Sequence, residues 1–136
     1  MDERQVDLIR SSWTRMEPNM STLAERFYRR LFELDPSLQD LFTVTDMSAQ
    51  NDKFTAMMHE IVQAVDEPDR LLPLLQGSGR RHRDYGVRPA DYHTVGEAFL
   101  WAIEKGLPEP FDRETQAAWA AGYSLIASVM RDAPRA

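Results

Sequence analysis

Gly79-Arg80-Arg81-His82-Arg83-Asp84-Tyr85-Gly86 sets one imidazole among three guanidinium groups. The chain has 3 His and no Cys, so a borderline transition metal would look to imidazole for a protein ligand. A His flanked by arginines suits a planar, dianionic cofactor, because one segment supplies both the ligand and the charge that neutralises carboxylates. The other two histidines are less well placed. His59 falls on the polar side of the stripe Phe54, Met57, Met58, Ile61 and Val65. His93 directly follows Tyr92 on a helix whose inward face is Tyr92, Val95 and Phe99. A solvated charge run would account for residues 79–86 equally well, and both readings stand at this point.

Composition narrows the field. The 136 residues fit a single domain over 1–136, large enough to bury roughly two-thirds of its unfolded surface. A net charge of −6 argues against nucleic acid or an anionic membrane as the main partner. The lack of Cys excludes disulfides, zinc fingers, thiolate ligation and covalent Cys-x-x-Cys-His attachment. Met1 is followed by Asp-Glu-Arg with no apolar run, so no secretory signal is expected. The uncharged stretch Ala117 to Met130 is too short to span a bilayer. A soluble cytoplasmic protein is the expectation.

Working outward from His82, the punctuation is helical throughout. Asp2 and Gln5 resemble a capping box opening a helix with Val6, Ile9 and Trp13 inward, which stops before Pro18. A second helix is expected from about Asn19 to Leu34, with Leu23, Phe27, Leu31 and Leu34 on one face. Asp35-Pro36 restarts a short helix ending near Phe42, and residues 43–47 form a loop. From about Ser48 a longer helix carries Phe54, Met57, Met58, Ile61, Val62 and Val65 and ends before Pro68. The segment carrying Leu71, Leu72, Leu74 and Leu75 is expected to be irregular, because Pro73, Gly77 and Gly79 each weaken a continuous helix. Pro89 to Lys105, closed by Gly106, and a last helix from Asp112 complete an all-α chain.

These residues together resemble a known family. Phe27-Tyr28-x-x-Leu31-Phe32-x-x-Asp35-Pro36-x-Leu38-x-x-Leu41-Phe42, then Gln50-x-x-x-Phe54, then Arg81-His82-x-x-Tyr85-Gly86-Val87, is similar to the bacterial globins. The likeness is strongest to the globin domain of flavohaemoglobins and their single-domain relatives, and it runs from Trp13 through Trp119. It implies a globin fold of about seven helices around a pocket for haem b. A flavohaemoglobin would continue into flavin and nicotinamide domains, so this chain is expected to rely on a separate reductase.

The resemblance assigns roles residue by residue. It makes His82 the iron ligand, Phe42 the phenylalanine packed on the porphyrin, and Tyr28 and Gln50 the distal donors, both aimed at the sixth iron position. Phe54 stands where flavohaemoglobins usually carry Leu, which narrows the expected distal cavity. Met57, Val87 and Val95 are expected in the cofactor wall, and Arg81 is expected to pair with a propionate. Tyr92 resembles the proximal tyrosine that flavohaemoglobins pair with a glutamate. The corresponding position here is Pro134, with Asp132 the only acid nearby, so that triad is expected to be absent or altered and peroxidase chemistry disfavoured. The second ring nitrogen of His82 is expected to donate to a backbone carbonyl near Ser78.

The implied activity is reversible, tight dioxygen binding, with nitric oxide dioxygenation as an associated reaction. Competing readings are an oxygen store or carrier, a haem-based gas sensor, and a bundle in which His82 is incidental and Tyr28 and Gln50 are ordinary core and surface residues. Either Gln50 or His59 could also close the sixth position.

Overall fold

In the computed structural model, residues 1–107 and 112–134 are described, and among them the chain is helical with no strand. It forms α1 (Glu3–Met16), α2 (Met20–Leu34), α3 (Met47–Ala64), α4 (Pro68–Asp84), α5 (Asp91–Gly106) and α6 (Arg113–Arg131). Short 3₁₀ segments, Glu17–Asn19 and Pro36–Phe42, link α1 to α2 and follow α2. The second of these accounts for the seventh helix expected from the sequence.

Local chemistry explains most boundaries. Asp2 and Gln5 make the reciprocal capping box, with Gln5 N–H donating to Asp2 at 2.8 Å. Pro18 lies inside the tight 3₁₀ turn that separates α1 from α2. Asp35 accepts from the Ser37 N–H at 3.1 Å and Asp46 from the Ser48 N–H at 3.0 Å, so both restarts are capped by carboxylates. Asp112 does the same for α6, accepting from Thr115 N–H at 2.7 Å. The helix expected from Pro89 begins at Asp91 instead, with Pro89 and Ala90 in a turn, a displacement within ordinary fraying of helix ends.

The segment around Pro73 departs further from expectation. It is one continuous helix that includes Pro73, Gly77 and Gly79. Tertiary burial explains this: Leu71, Leu75, Ser78 and Gly79 form one buried face, and that face packs against α6. Burial at about 25 cal/mol per Å² of apolar surface outweighs a helix penalty of roughly 3 kcal/mol for Pro and 1 kcal/mol for Gly. Gly79 is also there for space. A Cβ built at that position would stand 2.3 Å from the carbonyl oxygen of Met130, which only glycine avoids.

An aromatic chain crosses the core. Trp119 of α6 meets Phe99 of α5 at 5.8 Å, Phe99 meets Phe27 of α2 at 6.5 Å, and Phe27 stacks on Phe54 of α3 at 4.9 Å. The buried Trp119 indole N–H donates to Ser12 Oγ at 2.8 Å, tying α6 to α1 without an orphaned donor. Helices α2 and α5 pack closely, as do α1 with α6 and α4 with α6. Among the described residues, no helix is long and apolar enough to cross a membrane.

Candidate functional site

His82 lies in the last turn of α4. Its Nδ1 is 2.7 Å from the Ser78 carbonyl oxygen, one helical turn back, and the Ser78 hydroxyl is 3.4 Å away. A carbonyl can only accept, so Nδ1 carries the proton and the Nε2 lone pair is left free. Burial pushes the His82 pKa down and the charge of Arg81 lowers it further, against the opposing effect of the Ser78 bond. The ring is therefore a neutral imidazole with a fixed tautomer, the form that binds metal.

The backbone beyond His82 turns sharply and is itself secured. Val87 N–H donates to the His82 carbonyl at 2.9 Å. Gly86 adopts φ +100, a left-handed conformation open to glycine, and packs beside Leu41 of the 3₁₀ segment. Asp91 closes the corner. Its carboxylate accepts the Arg88 N–H at 2.8 Å and the Arg88 guanidinium at 2.9 Å. Burial opposes ionisation of Asp91, and the Arg88 contacts outweigh it, holding the carboxyl below its usual range.

A second cluster of candidate residues centres on Tyr28, which is buried on α2. Gln50, in the first turn of α3, donates from Nε2 to the Tyr28 oxygen at 2.9 Å. Four phenyl rings enclose the phenol, with centroids at 4.9 Å for Phe27, 5.5 Å for Phe42, 5.9 Å for Phe54 and 6.2 Å for Phe32. Burial raises the Tyr28 pKa despite the Gln50 bond, so the phenol stays protonated well above neutral pH. Gln50 and Tyr28, both expected as donors, are thus joined to each other by one hydrogen bond.

The remaining candidates divide. Phe42, Phe54, Met57, Tyr92 and Val95 are half-buried and packed against the core, and Val87 is half-buried at the corner after α4. Arg81 is exposed, with Nη1 close beside Gly77 on the preceding turn. Asp132 is exposed and its carboxylate accepts from Arg131 at 3.2 Å. The α6 side chain that meets Tyr92 is Tyr123, whose hydroxyl donates to the Tyr92 carbonyl at 2.5 Å. Burial drives the Tyr123 pKa far up, so it stays protonated and able to donate.

His59 and His93 are engaged elsewhere. His59 contacts Glu17 through Nδ1 at 3.1 Å and Gln63 through Nε2 at 2.9 Å, and His93 pairs with Glu97 at 2.8 Å. Both ring nitrogens of His59 are thus engaged, on an exposed surface. A groove of about 470 Å³ bordered by Val6, Leu71, Leu75 and Leu125 opens between α1, α4 and α6, and it touches none of the candidate residues.

Asp91 and Tyr123 were not singled out from the sequence as site residues. Arg88 and Asp91 sit at i, i+3 and could have been read as a pair. Tyr123 acts on a backbone atom 31 residues away, which no local pattern signals.

The donor set fits haem. Among the described residues no three His, Cys, Asp or Glu side chains converge to hold a metal ion. A lone neutral imidazole therefore suits a metal that brings its other ligands in a macrocycle. Half-covered Phe42, Phe54, Met57 and Val95 supply apolar surface that a flat cofactor would bury.

Comparison with known proteins agrees. The globin family model matches residues 25–130, and the chain belongs to the globin family. The family implies a haem cofactor and small gaseous ligands. The chain is 27% identical over 130 residues to a flavohemoprotein of Bacillus subtilis, covering 93% of this chain and 32% of that protein. It thus spans about a third of the length of such relatives. It is 31% identical over 143 residues to a neuroglobin of Tetraodon nigroviridis, covering 96% of this chain and 90% of that one. A hexacoordinated haem protein from an anhydrobiotic tardigrade superposes with a TM-score of 0.86 at 17% identity, covering 98% of this chain and 94% of the other.

Proposed function

We propose that residues 1–136 act as one globin domain that holds haem b through His82 and binds dioxygen with Tyr28 as the donor on the opposite side. The bond from Gln50 Nε2 to Tyr28 carries this reading. The phenol oxygen accepts from Gln50, so its single hydrogen is free to donate toward a ligand. Haem, when bound, supplies a ferrous iron that takes up dioxygen and supports the oxidation of nitric oxide to nitrate.

The protein's own groups decide what is held and how tightly. A ligand oxygen with partial negative charge gains from the Tyr28 donor, whereas carbon monoxide gains little. Such a hydrogen bond is worth about 1.5–3 kcal/mol, or about ten- to hundredfold in release rate. Phe27, Phe42 and Phe54 exclude water around that donor and strengthen it. His82, held by Ser78, presents Nε2 to the metal. Arg81 pairs with a propionate at the exposed edge, contributing up to about 1 kcal/mol. Nitric oxide turnover also requires a source of electrons to restore the ferrous state.

Dioxygen dissociation after stopped-flow mixing tests this reading. Slow release that accelerates about tenfold or more in Tyr28→Phe is expected. Fast release insensitive to Tyr28→Phe would favour a simple carrier. Rapid nitrate formation on mixing with nitric oxide is expected for dioxygenation, and its absence would exclude that activity.

A further inference from the structure

The residues flanking His82 on α4 are both tied to the same short stretch of chain. Gly79, three positions before His82, lies directly on the backbone of Met130 at the end of α6. A Cβ there would come within 2.3 Å of the Met130 oxygen, 2.7 Å of its Cα and 2.8 Å of its carbonyl carbon. The obstacle is backbone, so no side-chain rotation relieves it. Arg83, the residue after His82, donates through Nη2 to the carbonyl of Ala133. Ala133 is buried although it lies beyond the last helical turn, and its own N–H returns to the Met130 carbonyl at 3.3 Å. Asp132 N–H donates to the Ser128 carbonyl at 3.1 Å, so residues 130–133 form a folded turn.

We infer that residues 130–133 set the depth and tilt of the last turn of α4, making Gly79 and Arg83 positioning residues for the His82 imidazole. The first contact sets how closely α4 approaches α6. The second prevents the turn from rotating about that contact. Ser78, whose carbonyl orients the ring, is buried and directly precedes the Gly79 anchor. A displacement at either anchor therefore moves the ring and its orienting carbonyl together. The inference rests on His82 as the iron ligand and deepens that assignment.

Resonance Raman of the ferrous, ligand-free protein reads the iron–imidazole stretch, and hydrogen exchange of the cofactor-free protein reads the α4 amides. Gly79→Ala is expected to shift the stretch, and Arg83→Ala is expected to shift it less. Arg83→Lys, which keeps a donor for the Ala133 carbonyl, should restore most of the wild-type frequency. Arg83→Ala should also speed exchange at residues 78–83 several-fold without haem. Ile103→Val, a fully buried change in α5, serves as the stability control and should leave the stretch in place. Should Gly79→Ala fail to fold, the Arg83 pair decides the matter. An unshifted stretch and unchanged exchange in Arg83→Ala overturn the inference while leaving His82 as ligand. A wild-type protein whose ferrous haem is five-coordinate yet lacks any iron–imidazole stretch overturns the ligand assignment first, and the inference with it.

Discussion

Around His82 the site is held by backbone atoms, whereas around Tyr28 it is held by side chains. The imidazole is oriented by the Ser78 carbonyl, and the chain after it is secured by the bond from Val87 to the His82 carbonyl. The phenol is enclosed by four rings and receives one side-chain hydrogen bond, from Gln50. Backbone carbonyls tolerate many substitutions nearby, because the atoms that orient the ring are common to all residues. A pocket made of side chains changes with each residue that lines it. On the proposed function, the His82 side therefore suits an invariant task, holding the cofactor, and the Tyr28 side suits tuning of the ligand.

Truncating the enclosure should break the comparison most severely. Phe27 touches Tyr28, Phe54 and Phe99, so Phe27→Ala removes a junction of the core as well as a wall of the site. A loss of about 3–5 kcal/mol in unfolding free energy is expected in chemical denaturation. Next in size is the donor pair, read by dioxygen release in single and double variants. Tyr28→Phe should accelerate release by about ten- to hundredfold, and Gln50→Ala by only about fivefold, since a neutral hydrogen bond contributes about 1 kcal/mol. If the two act in series, Gln50→Ala should have almost no further effect in the Tyr28→Phe background. Additive effects would show Gln50 contacting the ligand independently.

The smallest effect sharpens the other side. Asp91 binds protons less readily in the folded protein than an unfolded Asp, whose ordinary pKa is about 3.9. Its ionised form thus contributes stability that is complete above that pH and is lost as pH falls through the lower folded value. Asp91→Asn should destabilise the protein at neutral pH, and the gap to wild type should close below about pH 4. A gap independent of pH would show that shape, rather than charge, secures the corner after α4.

The sequence revealed the two sides unequally. Phe27 was legible from helical spacing and Tyr28 and Phe42 through family resemblance, and the structure brings the three into one cluster. Gln50 was recognisable through family resemblance, since a glutamine in a first turn is ordinarily solvated. The helix bearing His82 was harder to read. Local rules count Pro73, Gly77 and Gly79 against it, yet its buried face on α6 sustains it. The anchor from Arg83 to Ala133 spans 50 residues, and an arginine within a charge run gives no sign of such a partner. Propensity describes a segment alone, and here the decisive contacts come from elsewhere in the chain.

Haem titration followed at the Soret band, on wild type and on His82→Ala, His59→Ala and His93→Ala, tests the central assignment most directly. Wild type and the His59 and His93 variants should take up haem with the same coordinated spectrum. His82→Ala should lose that spectrum and bind at least tenfold more weakly, the low end of what disturbing a metal site costs. A His82→Ala protein with unaltered affinity and an unaltered spectrum would contradict the assignment.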